Sequence, residues 1–181
     1  MMRAFVAVEI INEDVLRFIK KVQSELKINA RPVRIENIHF TLLFLGEISE
    51  SADEKVQEAL DSIKFESFEI EFQGIGTFPK PKFPRVIWTG TDLQGGEKLK
   101  ELAKKVEEVL GPLGFKSDKP FKPHVTIFRI KNKIGDISED LEKYQDVKLG
   151  KQMVSELKLK KSILTPNGPN YSDLKVVKAS K

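Results

Sequence analysis

Hydrophobic positions along the chain alternate between a period of two and a period of 3.6 residues, and the changes of period mark out the elements. Residues 3–10 are apolar and β-branched enough for a buried first strand. Asn12 then caps a helix with Val15, Leu16, Ile19, Val22 and Leu26 on one face, a region that Pro32 ends. Residues 38–45 form a mostly apolar run closed by Gly46, the pattern of a well-buried strand. Ser51 or Asp53 opens a second helix, with Ala52, Val56, Ala59, Leu60 and Ile63 inward. Residues 66–72 alternate, Phe68, Ile70 and Phe72 on one side and Glu69 and Glu71 on the other, as in a half-buried strand. A loop rich in Pro and Gly over 74–84 leads to a strand at 85–89.

The second half repeats the plan. Leu99, Leu102, Ala103, Val106, Val109 and Leu110 define an amphipathic helix stopped by Gly111-Pro112. Lys122-Pro123 introduces a strand through Ile130. Residues 131–150 read as a loop with at most a short helix, residues 153–164 as one strand with a register slip, and Pro166-Asn167-Gly168-Pro169 as a turn into a closing strand at 171–177. Strands interleaved with three helices favour an α+β fold with antiparallel sheets. No linker separates two independent units, so residues 1–181 are expected to form a single domain.

One phrase occurs twice on this framework. His39-Phe40-Thr41-Leu42 and His124-Val125-Thr126-Ile127 are copies of H-x-T-apolar, 85 positions apart, and they contain both histidines of the chain. Only six threonines are present, so chance places one two residues after each histidine roughly once in a thousand such chains. On a strand, residues i and i+2 share a face, so each histidine projects together with its threonine. Two imidazoles can serve as acid and base near neutral pH without a metal. Set on either side of a phosphorus atom, they could serve the attacking and leaving oxygens of an in-line displacement, with the threonine hydroxyls donating to nonbridging oxygens.

Composition narrows the chemistry. The absence of cysteine removes disulfides, thiolate nucleophiles and cysteine-ligated zinc, and suits a cytoplasmic protein. No apolar run is long enough to span a bilayer, and the N-terminus reads as a strand rather than a signal peptide. A net charge of +4 and a pI near 9.1 permit an anionic partner without requiring one. Placement says more than the total. Arg31 and Arg34 precede the first motif, Lys116, Lys119 and Lys122 precede the second, and Arg129 follows it. A lysine-rich solubilising surface accounts equally well for any one of these lysines. Neither motif supplies the spacing of a metal site, so no metal and no cofactor are expected. Phosphate-cradling glycine loops and a G-x-S-x-G elbow are absent, and the twelve Phe are expected mostly in the core.

With His39-Phe40-Thr41-Leu42-Leu43-Phe44-Leu45-Gly46 and Phe121-Lys122-Pro123-His124-Val125-Thr126-Ile127-Phe128-Arg129 in view, the chain resembles the 2H phosphoesterases. Within them it looks like the branch called 2′-5′ RNA ligase or RNA 2′,3′-cyclic phosphodiesterase (LigT/ThpR-like). The likeness extends to Arg3-Ala4-Phe5-Val6-Ala7, Val86-Ile87-Trp88-Thr89-Gly90 and the closing segment with Tyr171. The resemblance implies a bilobal, pseudo-symmetric fold whose two H-x-T strands face a central cleft. It also implies metal-independent opening of an RNA terminal 2′,3′-cyclic phosphate to a 2′-phosphate, with 2′-5′ ligation as the related reaction. His39 would be the proton donor and His124 the proton acceptor, Thr41 and Thr126 would hold phosphate oxygens, and Phe44 and Arg129 would stack on the terminal base. Strict alternation turns Phe44 and Arg129 away from the histidines, so that assignment requires the strands to bend or end there. The implied partner is an RNA end, tRNA fragments included, met by a monomer with no membrane and no DNA. Two other readings stand beside it: an RNA-end binder without chemistry, and an esterase for a small nucleotide such as an ADP-ribose cyclic phosphate.

Overall fold

The computed structural model of the chain describes residues 1–180. Its first strand, β1 (Met2–Glu9), is buried continuously from Ala4 to Val8, as a strand interior to a sheet must be. It lies between β3 (His39–Ile48) and β8 (Glu156–Thr165), and β9 (Gly168–Lys178) completes a four-stranded sheet in the order β3-β1-β8-β9. A second sheet has the order β2-β6-β5-β4-β7, built from β2 (Arg31–Pro32), β4 (Phe68–Phe78), β5 (Val86–Thr91), β6 (Val125–Arg129) and β7 (Lys148–Val154). Every strand pairing is antiparallel. The α+β class with antiparallel sheets read from the sequence holds.

Three helices cover the sheets. Helix α1 (Glu13–Glu25) starts at Asn12, whose side chain accepts from the Val15 N–H at 3.0 Å, a cap of the kind that contributes about 1 kcal/mol. Its buried Val15, Ile19 and Val22 face the second sheet rather than the first, packing on β6 and β7. The Gln23 amide fixes this crossing by donating to the Val33 and Ile127 carbonyls, each at 2.9 Å. Helix α2 (Glu50–Leu60) is capped by Ser49, at 3.1 Å from the Ala52 N–H, and not by Ser51 or Asp53. Helix α3 (Leu93–Leu110) is capped by Asp92 and ends at Gly111. It lies so close to β4 that a Cβ on Gly95 would meet Ile70 at 2.8 Å. The two sheets share one core, joined where Phe40 of β3 stacks on Phe72 of β4 at 5.7 Å.

Two readings of the sequence need correction. The alternating stretch at 153–164 is two strands: β7 ends at Val154 in one sheet and β8 begins at Glu156 in the other, with the chain crossing between sheets at Ser155. Alternation cannot register which sheet a strand joins. The expected loop at 74–84 starts later, because β4 continues to Phe78. Gly74, at φ +74°, absorbs a bulge that lets the ladder with β5 resume at Ile75. The phenylalanines are mostly in the core, as expected: Phe5, Phe40, Phe65, Phe72 and Phe128 are buried and Phe18, Phe68, Phe115 and Phe121 pack against the core, whereas Phe44 and Phe83 are each 53% exposed. The expected loop over 131–150 carries the short helix α4 (Ser138–Glu142) and the start of β7.

Candidate active site

His39 opens its strand after a 3-10 turn over Ile35–Asn37, and His124 follows Lys122-Pro123 immediately before β6 begins at Val125. Both rings are anchored in the same way. The His39 Nδ1–H donates to the Asn37 carbonyl at 2.7 Å, and the His124 Nδ1–H donates to the Lys122 carbonyl at 2.6 Å. A carbonyl can only accept, so these bonds fix the tautomer and leave Nε2 of each ring as the reactive nitrogen. The Thr41 hydroxyl lies 2.9 Å from His39 Nε2. Each ring is also clamped by aromatics. Phe5 and Tyr171 stand 4.9 and 5.4 Å from His39, and Phe78 and Trp88 stand 5.0 and 6.4 Å from His124.

The two motif strands share a second feature that strict alternation misses. Along β3, two residues (Thr41 to Leu43) pass while β1 advances only from Ala7 to Val6. Along β6, two residues (Thr126 to Phe128) pass while β5 advances only from Trp88 to Ile87. Each strand thus carries a bulge directly after its threonine, and the two residues that follow are both buried: Leu42 and Leu43, Ile127 and Phe128. The bulge returns the next residue to the outer face, so Phe44 sits on the face of His39 and Thr41, and Arg129 on that of His124 and Thr126.

His39, Thr41, His124 and Thr126 line one cleft of about 200 Å³. Arg31, Arg34, Arg129 and Lys131 line it too, with no carboxylate among them. Arg31 and Arg129 are cross-strand partners of β2 and β6, a like-charge pairing that costs stability unless an anion sits between them. The tip of the β8–β9 hairpin closes one wall, tied down where Asn37 donates to the Pro169 carbonyl at 2.9 Å and Arg34 donates to Asn170 at 2.8 Å. Beside His39, the buried Lys160 joins Lys158, Glu9 and Asp173 in a charge-balanced quartet. No group of three His, Asp or Glu residues able to hold a metal occurs among the described residues.

Burial lowers both imidazoles. His39 is brought to about 4, chiefly by desolvation, with Lys160 and Arg129 adding to it against the Asn37 hydrogen bond. His124 also falls below its ordinary value, through burial and then the charges of Lys122 and Arg129, opposed by its bond to the Lys122 carbonyl. Both rings are therefore neutral at pH 7 in the free chain. Burial raises the Tyr171 phenol, which stays protonated.

The structure thus brings together five of the six residues the sequence singled out, and Arg31 and Arg34 with them. Phe44 shares the face but lies outside the cleft lining, under the Arg3 guanidinium at 5.6 Å. Lys116 and Lys119 are exposed and away from the lining, while Lys122 holds its ammonium 5.4 Å from the Phe78 ring. Asn37, Lys131 and the turn at Asn167–Pro169 were missed as site residues. The turn was legible as a turn, but nothing local shows that it folds onto the cleft.

Two antiparallel sheets, each giving one H-x-T strand to a shared cationic cleft, form the arrangement of a 2H phosphoesterase. The chain belongs to the family described as LigT like Phosphoesterase, which it matches over residues 7–88 and 92–171. It is similar to the Archaeoglobus fulgidus protein named RNA 2′,3′-cyclic phosphodiesterase, with 41% identity over 177 residues, 97% of this chain and 99% of that one. An Aeropyrum pernix protein of the same name is 43% identical over 153 residues, 83% of this chain and 86% of its own. Among solved structures, TT0787 of Thermus thermophilus superposes with a TM-score of 0.82 at 28% identity, covering 98% of this chain and 97% of that one.

Proposed function

We propose that this chain opens the terminal 2′,3′-cyclic phosphate of RNA to a 2′-phosphate, without a metal. The observation that carries the reading is the pair of Nε2 atoms, freed by matching Nδ1–H bonds, on one small cleft lined by four cations and no carboxylate. The cyclic phosphate is a monoanion, and Arg31, Arg129 and Lys131 supply the charge that holds it. Thr41 and Thr126 donate to its nonbridging oxygens. His124, neutral at working pH, takes the proton from water as the new O–P bond forms. His39 protonates O3′ as the P–O3′ bond breaks, leaving the phosphate on O2′. The hydrogen bonds from Nδ1 to the Asn37 and Lys122 carbonyls keep both rings aimed and lend stability to each when it is protonated.

A neutral His39 is in the wrong state to act as an acid. The substrate's own negative charge, placed beside the ring, recruits the missing proton, so acid and substrate arrive together. Phe44 and Arg129 serve the terminal nucleotide, Arg129 from within the cleft and Phe44 from the adjoining face. The relatives' printed names agree with an RNA end as substrate. This reading includes tRNA fragments as natural ends and a cytoplasmic monomer. No helix among the described residues is long and apolar enough to cross a membrane.

The deciding experiment is product analysis on an RNA oligonucleotide ending in a 2′,3′-cyclic phosphate, with EDTA present. A 2′-phosphomonoester is expected. An unopened ring would reduce the chain to a binder, and a 3′-phosphate would reverse the assignment of the leaving oxygen. Faster turnover of a cyclic mononucleotide than of the oligomer would shift the substrate to a small nucleotide.

A further inference from the structure

The sheet face that presents His39 to the cleft also holds a buried lysine. Cross-strand partners share a face, and the register pairs His39 with Glu9, Phe5 with Lys160, and Lys160 with Asp173. Phe5, Ala7 and Glu9 alternate onto that same face of β1. Ala7 has too little side chain to stand between Glu9 and the lysines of β8, so the three charged groups meet across it. Lys160 is 7% exposed, a burial that an ammonium tolerates only when paired. It bonds one Glu9 oxygen and lies 2.9 Å from Asp173 Oδ1, while Lys158 lies 3.2 Å from the other Glu9 oxygen and 2.8 Å from Asp173 Oδ2. Lys158 also reaches Glu156 at 3.9 Å.

Neither lysine lines the cleft, so the quartet is not a second set of phosphate ligands. What it controls is Glu9. That carboxylate is the strand neighbour of His39, yet both ring nitrogens are engaged elsewhere, Nδ1 with the Asn37 carbonyl and Nε2 with the Thr41 hydroxyl. Burial raises the Glu9 carboxyl, but the bonds and charges of Lys160 and Lys158 outweigh it, and the group is ionised at pH 7. An ionised carboxylate released beside an imidazole would pair with its protonated form. The other groups around the ring are Lys160 from β8, Arg129 from β6, Arg34 in the cleft lining and Tyr171 from β9: three cations and a phenol that burial keeps protonated.

We infer that Lys160 is a positioning residue: with Lys158 it holds the Glu9 carboxylate off the His39 ring and leaves that place to the phosphate of the substrate. The inference rests on the functional reading above, in which the substrate's charge brings the proton to His39. A Glu9 free to swing would bring that proton first, in the empty cleft. His39 would then enter the reaction as half of an ion pair, a weaker acid for O3′, and the carboxylate would repel the incoming anion. Held by its lysines, Glu9 does neither, and the acid forms when the substrate arrives. Asp173 completes the balance by neutralising the second ammonium.

The test follows the His39 imidazole by nitrogen-15 NMR in the full chain, in anion-free buffer and in saturating inorganic phosphate. Lys160→Met should raise the His39 midpoint from about 4 by about 1–3 units and shrink the further rise that phosphate gives. Adding Glu9→Gln should return the midpoint close to the wild-type value, because two opposite charges then leave together, and Lys160→Arg should leave it there. A midpoint that Lys160→Met does not move overturns the inference. A rise that persists with Glu9→Gln also overturns it, since Lys160 would then act on the ring by its own charge. Lys158→Met loosens the other Glu9 oxygen at a less buried position and should give a smaller rise of the same sign. If Lys160→Met does not fold, an unmoved midpoint in Lys158→Met overturns the inference equally. With a cyclic-phosphate oligonucleotide at pH 7, Lys160→Met should lower kcat about tenfold and the double variant should recover it. A wild-type chain that never opens the ring would instead overturn the functional reading, while the midpoints of the free chain still judge the placement of Glu9.

Discussion

Loading the cleft with phosphate should move His39 back toward the ordinary range of an imidazole. In the free chain burial holds it at about 4, so only about one ring in a thousand is protonated at pH 7. An anion about 5 Å from the ring at an effective dielectric near 20 contributes about 3.3 kcal/mol. That is about 2.4 pKa units, enough to bring His39 close to its unperturbed value. The chain has only two histidines, so nitrogen-15 NMR of the imidazoles follows both, with His39→Gln assigning the pair. The His39 midpoint should lie near 4 in anion-free buffer and rise by one to two units in saturating inorganic phosphate, salt screening taking part of the full value. The sign for stability follows. His39 is depressed when folded, so the unfolded chain binds the extra proton between about pH 6.5 and 4, and stability is lost as pH falls through that window. Between pH 7 and 4.5, the wild type should lose about 2 kcal/mol more than His39→Gln in urea unfolding. A midpoint that phosphate fails to move, or one near 6.5 in the free chain, refutes the coupling of substrate and proton.

Both histidines should be indispensable: His39→Ala and His124→Ala are each expected to lower kcat by about 10² or more with no sensitivity to EDTA, and full turnover in either variant removes its proposed role. Arg31→Ala relieves the like-charge pairing with Arg129 while removing a phosphate contact of about 1.5–3 kcal/mol. Its KM should therefore rise about tenfold or more with no loss in Tm, and an unchanged KM would place the anion elsewhere. Phe40→Ala empties the contact with Phe72 that joins the sheets and should cost about 3–5 kcal/mol by chemical denaturation. Gly76→Ala pushes a methyl into Trp88 and should cost about 1–3 kcal/mol while slowing turnover through displacement of the indole beside His124; an unchanged melt and rate would contradict the packing described.

Local chemistry settled a large part of this protein in advance. Helix α1 with its Asn12 cap, the inward faces of all three long helices, and the H-x-T strands each follow from residues a few positions apart, because caps and periodicities act over one or two turns or strand repeats. The doubled motif also announced two imidazoles with two hydroxyls, while their meeting in one cleft, which the family resemblance implied, is made by the tertiary structure. What required the tertiary structure is whatever depends on a partner distant in sequence. The bulges after Thr41 and Thr126 exist only in the pairing with β1 and β5, yet they decide which way Phe44 and Arg129 point. The division of residues 153–164 between two sheets is set by which strands lie alongside them, and alternation reads the same on either side of Ser155. The depressed pKa of His39 comes from desolvation by the assembled walls and from Lys160, 121 positions away. A sequence states which groups are available, but their protonation and aim come from the dielectric and the neighbours that folding assembles around them.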